Sequence, residues 1–307
     1  MAKLSIILPS FNHGVFLKDR LNSILRQTFH DWEIIIIDDK SSDKSVQILT
    51  EFYDANKQKV KHFIVNESNS GSGYFSWKKG IELAETEYIW IAETDDYSEE
   101  TFLEEQILVL EQHRNCTLSF SASNYVDSKG FFLYSSGNRT NDLHVSENDY
   151  KVFEGKVLID RMPFNTYITN GSSVVFRKPK DEIPHEIFSN RQSSDIFLWT
   201  YLVQNGSFIF LNRKLNYFRR HDASITHNLS KNEFETIYHE NASYLNYFKQ
   251  TNKSLAFIDH YIENYIWGNK KDFLNVSSIQ KIEENRCLRF IYFYKLLKCA
   301  LYKFMKL

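Results

Sequence analysis

Four short apolar runs mark the first hundred residues: LSIIL from Leu4, EIIIID from Glu33, KHFIV from Lys61 and YIWIA from Tyr88. They are continuous rather than alternating, which is the pattern of parallel strands covered on both faces. Between the first two, VFLKDRLNSILRQ sets Phe16, Leu17, Leu21, Ile24 and Leu25 at helical spacing. SVQILTEFY does the same with Val46, Leu49, Phe52 and Tyr53, behind Ser42 and Asp43 as caps. This βα rhythm predicts a doubly wound α/β half-domain. Ligands of such sheets bind beyond the carboxyl ends of the strands, and the polar clusters PSFN, DDKSSD, NESNSGSG and ETDDY all fall there.

From about residue 117 the rhythm changes. TLSFSASNYV and GFFLYSS alternate and flank the turn signal DSKG, which predicts a hairpin. GSSVVFRK reads as a strand, SDIFLWTYLVQNG as a helix closed by Gly206, and SFIFLNRKLNYFRRH as strand material broken near Asn212. After about residue 230 the pattern is helical without a clear strand.

Composition narrows the function. A net charge of −2 removes the simplest case for a nucleic-acid partner. Cys116, Cys287 and Cys299 are too few and too scattered for a disulfide framework or a four-ligand zinc site. The apolar run before Pro9 is shorter than that of a signal peptide, and no stretch approaches a spanning helix, so a cytoplasmic protein is expected.

The chemistry gathers at strand ends. Asp38 and Asp39 close the second run, where an acid can accept hydrogen bonds from a nucleoside, or merely start a turn. PSFNHG lacks the glycines that let a backbone cradle a pyrophosphate, so that charge needs another partner. Glu93, Asp95 and Asp96 end the fourth run; packed carboxylates repel, so a metal ion, a basic side chain or solvent must meet them. Mg²⁺ or Mn²⁺ would bridge such acids to a diphosphate. The competing reading is a cap for the helix SEETFLEEQILVL, which covers Ser98, Glu99 and Glu100 more easily than the two aspartates. Asp195 reads as a catalytic acid or as an ordinary helix cap.

These segments, with NSGSG…WKKGIELAETEYIWIAETDDY, SDIFLWTYLVQNG and LNYFRRHDASIT, resemble in order the family-2 glycosyltransferases of the GT-A fold over roughly residues 3–228. The resemblance implies that Pro9, Ser10 and Asn12 line a nucleoside pocket beside Asp38, and that Asp39 contacts the base. In TDDY, it implies a donor-side place for Thr94, Asp95 near the ribose and Asp96 on the metal. It implies Asp195 as the catalytic base. Arg219, Arg220 and His221 match a basic segment near the diphosphate and acceptor, with His221 also a candidate metal ligand. Two departures stand out. Trp77 and Lys78 occupy the place of an Arg-Asn pair, leaving Lys78 as the cation expected near the diphosphate. Glu93 replaces the first aspartate of the acidic string and is left off the metal.

The expected architecture is an α/β GT-A domain at 1–228, split into a nucleotide-binding half (1–115) and an acceptor half (116–228), followed by a helical region at 229–307. The expected function is inverting, metal-dependent transfer from a UDP-sugar to a hydroxyl of a glycan or lipid-linked acceptor in surface polysaccharide, lipopolysaccharide or capsule synthesis. Its rivals are a nucleotidyltransferase, for which PSFNHG lacks a triphosphate loop, and a catalytically silent nucleotide-sugar or polysaccharide-binding protein. At the carboxy terminus, Arg289, Lys295, Lys298, Lys303 and Lys306 interleave with aromatics. That pattern fits a peripheral membrane contact on the inner face of the plasma membrane and, equally, a core-packing or homo-oligomer-forming helix.

Overall fold

The computed structural model describes residues 2–221 and 231–253, together with residues 256, 293, 294 and 297. The chain divides into two compact units, one of residues 1–162 with 166–227 and one of residues 163–165 with 228–307.

In the first unit the predicted rhythm is present: β1 (Leu4–Ser10), α1 (Leu17–Leu25), β2 (Trp32–Asp38), α2 (Ser45–Ala55), β3 (Val60–Val65), α3 (Gly73–Leu83) and β4 (Tyr88–Ile91). A two-residue strand, β5 (Tyr97–Ser98), precedes α4 (Phe102–Gln112). Then come β6 (Cys116–Val126), β7 (Phe132–Ser135), β8 (Tyr150–Glu154), α5 (Gly155–Ile159), β9 (Val174–Arg177), α6 (Ser194–Val203) and β10 (Ser207–Arg219). One sheet runs in the order β3-β2-β1-β4-β9-β6-β10-β5, with β7 on β6 and β8 on β10. The first four strands are mutually parallel, as are β6 and β10, whereas β9 is antiparallel to both its neighbours. The second unit contributes α7 (Lys231–Tyr247).

Burial explains the continuous apolar runs. Leu4, Ile6, Leu8, Ile34, Ile36 and Trp90 on one face pack with Leu17, Leu21, Ile24, Leu49, Phe102 and Leu103 from the helices. On the other face α3 lies so close to β1 that a Cβ on Gly80 would sit 2.4 Å from Ile7 Cγ2, which requires glycine there. The third run departs from the pattern: β3 is a half-exposed edge strand, because nothing pairs beyond it among the described residues.

Three local readings change. Ser98 and Glu99 do not cap α4, because their backbones pair with β10 instead, Ser98 opposite Asn216 and Glu99 N–H on the Leu215 carbonyl. The cap comes from afar: Gln27 Oε1 accepts the Leu103 N–H at 2.9 Å. Asp43 does hold the start of α2 through the Ser45 N–H, whereas Ser42 is taken up by Asn12 Oδ1. The expected break near Asn212 is an irregularity in the β10–β6 register between Leu211 and Lys214, and β10 continues through it.

The predicted hairpin is β6–β7. Among the described residues no helix is long and apolar enough to cross a membrane. The basic residues of the carboxy-terminal run lie outside the described residues; Phe293, Tyr294 and Leu297 within it are exposed.

Candidate active site

The register of β1 with β2 pairs Ser10 with Asp38, and β4 ends beside the same stretch of β1, so both acidic clusters stand on one rim. Two bonds tie them to adjacent β1 residues. Asp39 N–H donates to the Ser10 carbonyl at 2.8 Å, and Thr94 Oγ1 to the Pro9 carbonyl at 3.2 Å. The Ser10 hydroxyl is buried without a partner among the described residues. Asn12, at φ 54°, joins the first two loops by accepting the Ser42 N–H at 2.8 Å.

At the β2 end the carboxylates meet neutral donors. Asp38 accepts from the Ser41 N–H and hydroxyl, both at 2.7 Å. Asp39 accepts from Asn66 Nδ2 at 2.7 Å and from the Ser70 N–H and hydroxyl. Lys79 Nζ holds Asn66 Oδ1 at 3.0 Å, so the cation on this side is Lys79. Lys78 is elsewhere. It pairs with Glu82 and lines a cavity of about 220 Å³ with Lys178 and Phe188. Lys178 follows β9, which runs antiparallel to β4 with Arg177 opposite Tyr88, so that cavity faces the start of β4 rather than its acidic end.

At the β4 end the partners are charged or ionisable and come from distant parts of the chain. Arg20, fully buried in α1, is the basic side chain that the acids require. Its Nε donates to the Glu93 carbonyl at 2.8 Å, and its Nη2 bonds Ser172 at 3.1 Å and lies 4.0 Å from Asp96. Burial lowers its pKa to about 10, against the pull of Asp96. Asp96 is itself buried, with Oδ1 on the Arg219 N–H and Oδ2 on Asn170 Nδ2 at 2.8 Å. Desolvation, then the neighbouring Asp95, push its pKa up to about 6. Glu93 is pushed well above the carboxylate range by desolvation, by Asp96 and Asp95, and by Asp195. That last influence brings Asp195, in the first turn of α6, up to the β4 end; Tyr74 Oη donates to its Oδ1 at 3.3 Å.

Asp95 stands apart from Asp96. One imidazole and one carboxylate oxygen meet directly, with His221 Nε2 3.1 Å from Asp95 Oδ2. The ligating atoms of His13, Asp95 and His221 all lie within 4.8 Å of one another. Desolvation would raise Asp95, but the His221 hydrogen bond and the nearby His13 outweigh it and hold Asp95 below its ordinary value. Thr94 Oγ1 lies 2.8 Å from His13 Nδ1. Because the hydroxyl proton of Thr94 goes to Pro9, His13 Nδ1 is the donor, and in the neutral ring Nε2 is then the acceptor. Two imidazoles and a carboxylate are the donors of a divalent transition-metal site.

The basic segment is only partly available. Arg219 is buried, with Nε on the Asp95 carbonyl, Nη1 on the Ser128 carbonyl and Nη2 on Asp19 at 2.8 Å. Its guanidinium is committed to the fold rather than open to a diphosphate. Arg220 lies over the Phe218 ring, half-buried.

The sequence of this chain matches the family described as Glycosyl transferase family 2 over residues 5–179. The chain belongs to glycosyltransferase family 2. It is 26% identical over 230 residues to glycosyltransferase GlyG of Streptococcus pneumoniae serotype 4, covering 72% of each chain. It is 28% identical over 120 residues to the poly(ribitol-phosphate) beta-N-acetylglucosaminyltransferase TarS of Staphylococcus aureus, which is 38% of this chain and 20% of that one. Among solved structures, TarS residues 1–349 in complex with UDP-GlcNAc aligns with a TM-score of 0.60 at 18% identity, covering 91% of this chain and 78% of that one. The mannosyltransferase PcManGT of Pyrobaculum calidifontis, in complex with GDP-Man and Mn²⁺, gives 0.55 at 12% identity, covering 78% and 62%. The fold of this glycosyltransferase is therefore GT-A.

Several residues of the site carry little or no signal in the sequence. His13 is the exception, since it sits in PSFNHG and is legible as a histidine in a strand-end loop. Arg20, Tyr74, Lys79 and Asn170 give none, because helical or loop residues of those types usually face solvent.

Proposed function

We propose that this enzyme moves a sugar from a UDP-sugar to a hydroxyl of a glycan or lipid-linked acceptor, with inversion, in the synthesis of a cell-surface polysaccharide. The observation that carries the reading is the convergence of His13, Asp95 and His221 beyond β4, on the rim that also bears Asp39, with Asp195 close enough to Glu93 of that strand end to push its pKa upward. Supporting the donor class, the aligned TarS structure is a complex with UDP-GlcNAc and the PcManGT structure a complex with GDP-Man and Mn²⁺. The cell-surface setting rests on the kinship with TarS.

The metal assignment moves from Asp96 to Asp95. Both Asp96 oxygens are already held inside the protein, whereas Asp95 shares a pocket with two imidazoles. Nitrogen donors favour Mn²⁺ or another transition ion over Mg²⁺, which prefers an all-oxygen shell. When bound, such an ion would stabilise the negative charge left on the departing diphosphate. Asp39, oriented by Asn66 and Ser70, is assigned to the base through the acceptor capacity these donors leave on its oxygens. Asp195, oriented by Tyr74, takes the proton of the attacking hydroxyl. A single base with direct displacement inverts the anomeric centre. We assign this work to residues 1–228, with the donor held by residues 1–115 and the acceptor by residues 116–228.

UDP release from a panel of UDP-sugars, with Mn²⁺ and then with chelator, tests the reading. Turnover of one donor that stops with chelator is expected, together with an Asp195→Asn variant that binds donor normally and transfers nothing. Turnover indifferent to chelator would remove the cation, and an active Asp195→Asn enzyme would remove the base.

A further inference from the structure

One exposed feature has no part in the site described above. β7 and the residue before it present Phe131, Phe132, Leu133 and Tyr134 in sequence, and these are 68%, 63%, 47% and 50% exposed. In a strand, successive side chains point to opposite faces, so an apolar surface is bare on both faces at once. Among the described residues β7 pairs only with β6, which leaves its outer edge open as well. A run of four large exposed apolar residues is costly in water and marks an interaction surface.

The surroundings are basic. Lys129 is exposed at the turn and Arg139 is exposed just after β7. Both Arg139 and Arg220 are close enough to Tyr125 to lower its pKa, against the larger upward push of burial, and Tyr125 stacks on Tyr134 with ring centroids 4.4 Å apart. The turn carries one acid, Asp127, whose Oδ1 accepts the N–H groups of Lys129 and Phe131 and which keeps its charge, so three cations stand against one carboxylate. The turn is also rigid. Gly130 supplies φ +88°, and Arg219 Nη1 holds the Ser128 carbonyl at 3.0 Å.

We propose that the β6–β7 hairpin is a membrane-docking element that sets Phe131 and the exposed strand β7 into the interface of an anionic bilayer. A flat protein surface would cover one face of the strand and leave the other wet. Lipid can meet the open edge of β7 and cover both of its faces, and the flanking Lys129, Arg139 and Arg220 match anionic headgroups. The same Arg219 that holds the turn donates through Nε to the Asp95 carbonyl at 2.8 Å. The turn of this hairpin is therefore joined to the proposed metal site through a single side chain. That consequence, delivery of a lipid-linked acceptor to the rim, rests on the reading under Proposed function; the docking itself does not.

The test is co-sedimentation of the full chain with vesicles of phosphatidylcholine containing phosphatidylglycerol, beside vesicles of phosphatidylcholine alone. Binding to the anionic vesicles is expected to fall by at least about tenfold in Phe132→Ser/Leu133→Ser, since two large apolar insertions are lost together. Lys129→Glu should weaken binding to anionic vesicles only. Donor hydrolysis in lipid-free buffer is expected to be unchanged in all of these variants, which separates this result from any failure of the catalytic assignment and shows that they are folded. A Phe132→Trp protein, excited with the wild type as the reference, should gain emission that is quenched by brominated lipid. Equal pelleting of variant and wild type, or added emission from the Phe132→Trp protein that lipid does not quench, would overturn the proposal. So would a concentration-dependent dimer abolished by the same double substitution without lipid, because a second copy would then be the occupant.

Discussion

Two pairs of adjacent aspartates stand on the same rim and are built in opposite ways. Asp38 and Asp39 at the end of β2 are held by serine hydroxyls, backbone N–H groups and an asparagine from residues 41, 66 and 70. Asp95 and Asp96 beyond β4 are held by His221, Asn170, Arg20 and the backbone of Arg219. Neutral donors from neighbouring loops orient a carboxylate without cancelling its charge, which suits recognition of a base. Charged and ionisable partners cancel charge, which suits the place proposed for a diphosphate. The second pair divides again: Asp96 turns inward and serves the fold, while Asp95 faces the two imidazoles.

The most damaging substitution should be Asp96→Ala. It strands the buried Arg20 guanidinium and should cost about 3–5 kcal/mol in urea unfolding, against about 1–2 kcal/mol for Asp38→Ala, which removes two hydrogen bonds from a turn. Equal losses would erase the contrast between the two pairs. Next is Asp95→Asn, which preserves shape but removes the carboxylate from the proposed metal set. Turnover should fall by at least about 100-fold and Mn²⁺ binding, followed by its electron paramagnetic resonance signal, should weaken in parallel. A similar effect of Asp96→Asn on Mn²⁺ affinity, with Asp95→Asn silent, would return the metal to Asp96.

A third outcome concerns pH. Because the folded protein raises Asp96 to about 6 and Glu93 in the same direction, the native state holds protons that the unfolded chain has released. Stability measured in chelator should therefore fall as pH rises from about 4 to about 6, and Asp96→Asn should flatten that slope. A slope of the opposite sign in that window would mean that these carboxyls are not desolvated. The smallest effect separates two adjacent lysines. Lys79→Met should raise the donor KM a few-fold through Asn66 and Asp39, whereas Lys78→Met, whose ammonium pairs with Glu82, should leave it unchanged. The reverse result would restore Lys78 to the diphosphate.

Sequence alone determined the βα order of the first hundred residues, the β6–β7 hairpin, the family and the rim on which the acids gather. Each of these depends on periodicity or on short contiguous motifs, and the continuous apolar runs admit little besides buried parallel strands. The tertiary structure decided which aspartate faces outward, that Arg219 is tied into the fold, that Gln27 caps α4 and that Arg20 lies among the acids. Those outcomes join residues 19 and 219, 20 and 96, 27 and 103, and 95 and 221. A hydrogen bond across such separations leaves no local periodic trace, because its strength depends on desolvation and on angles that exist only after the sheet has closed.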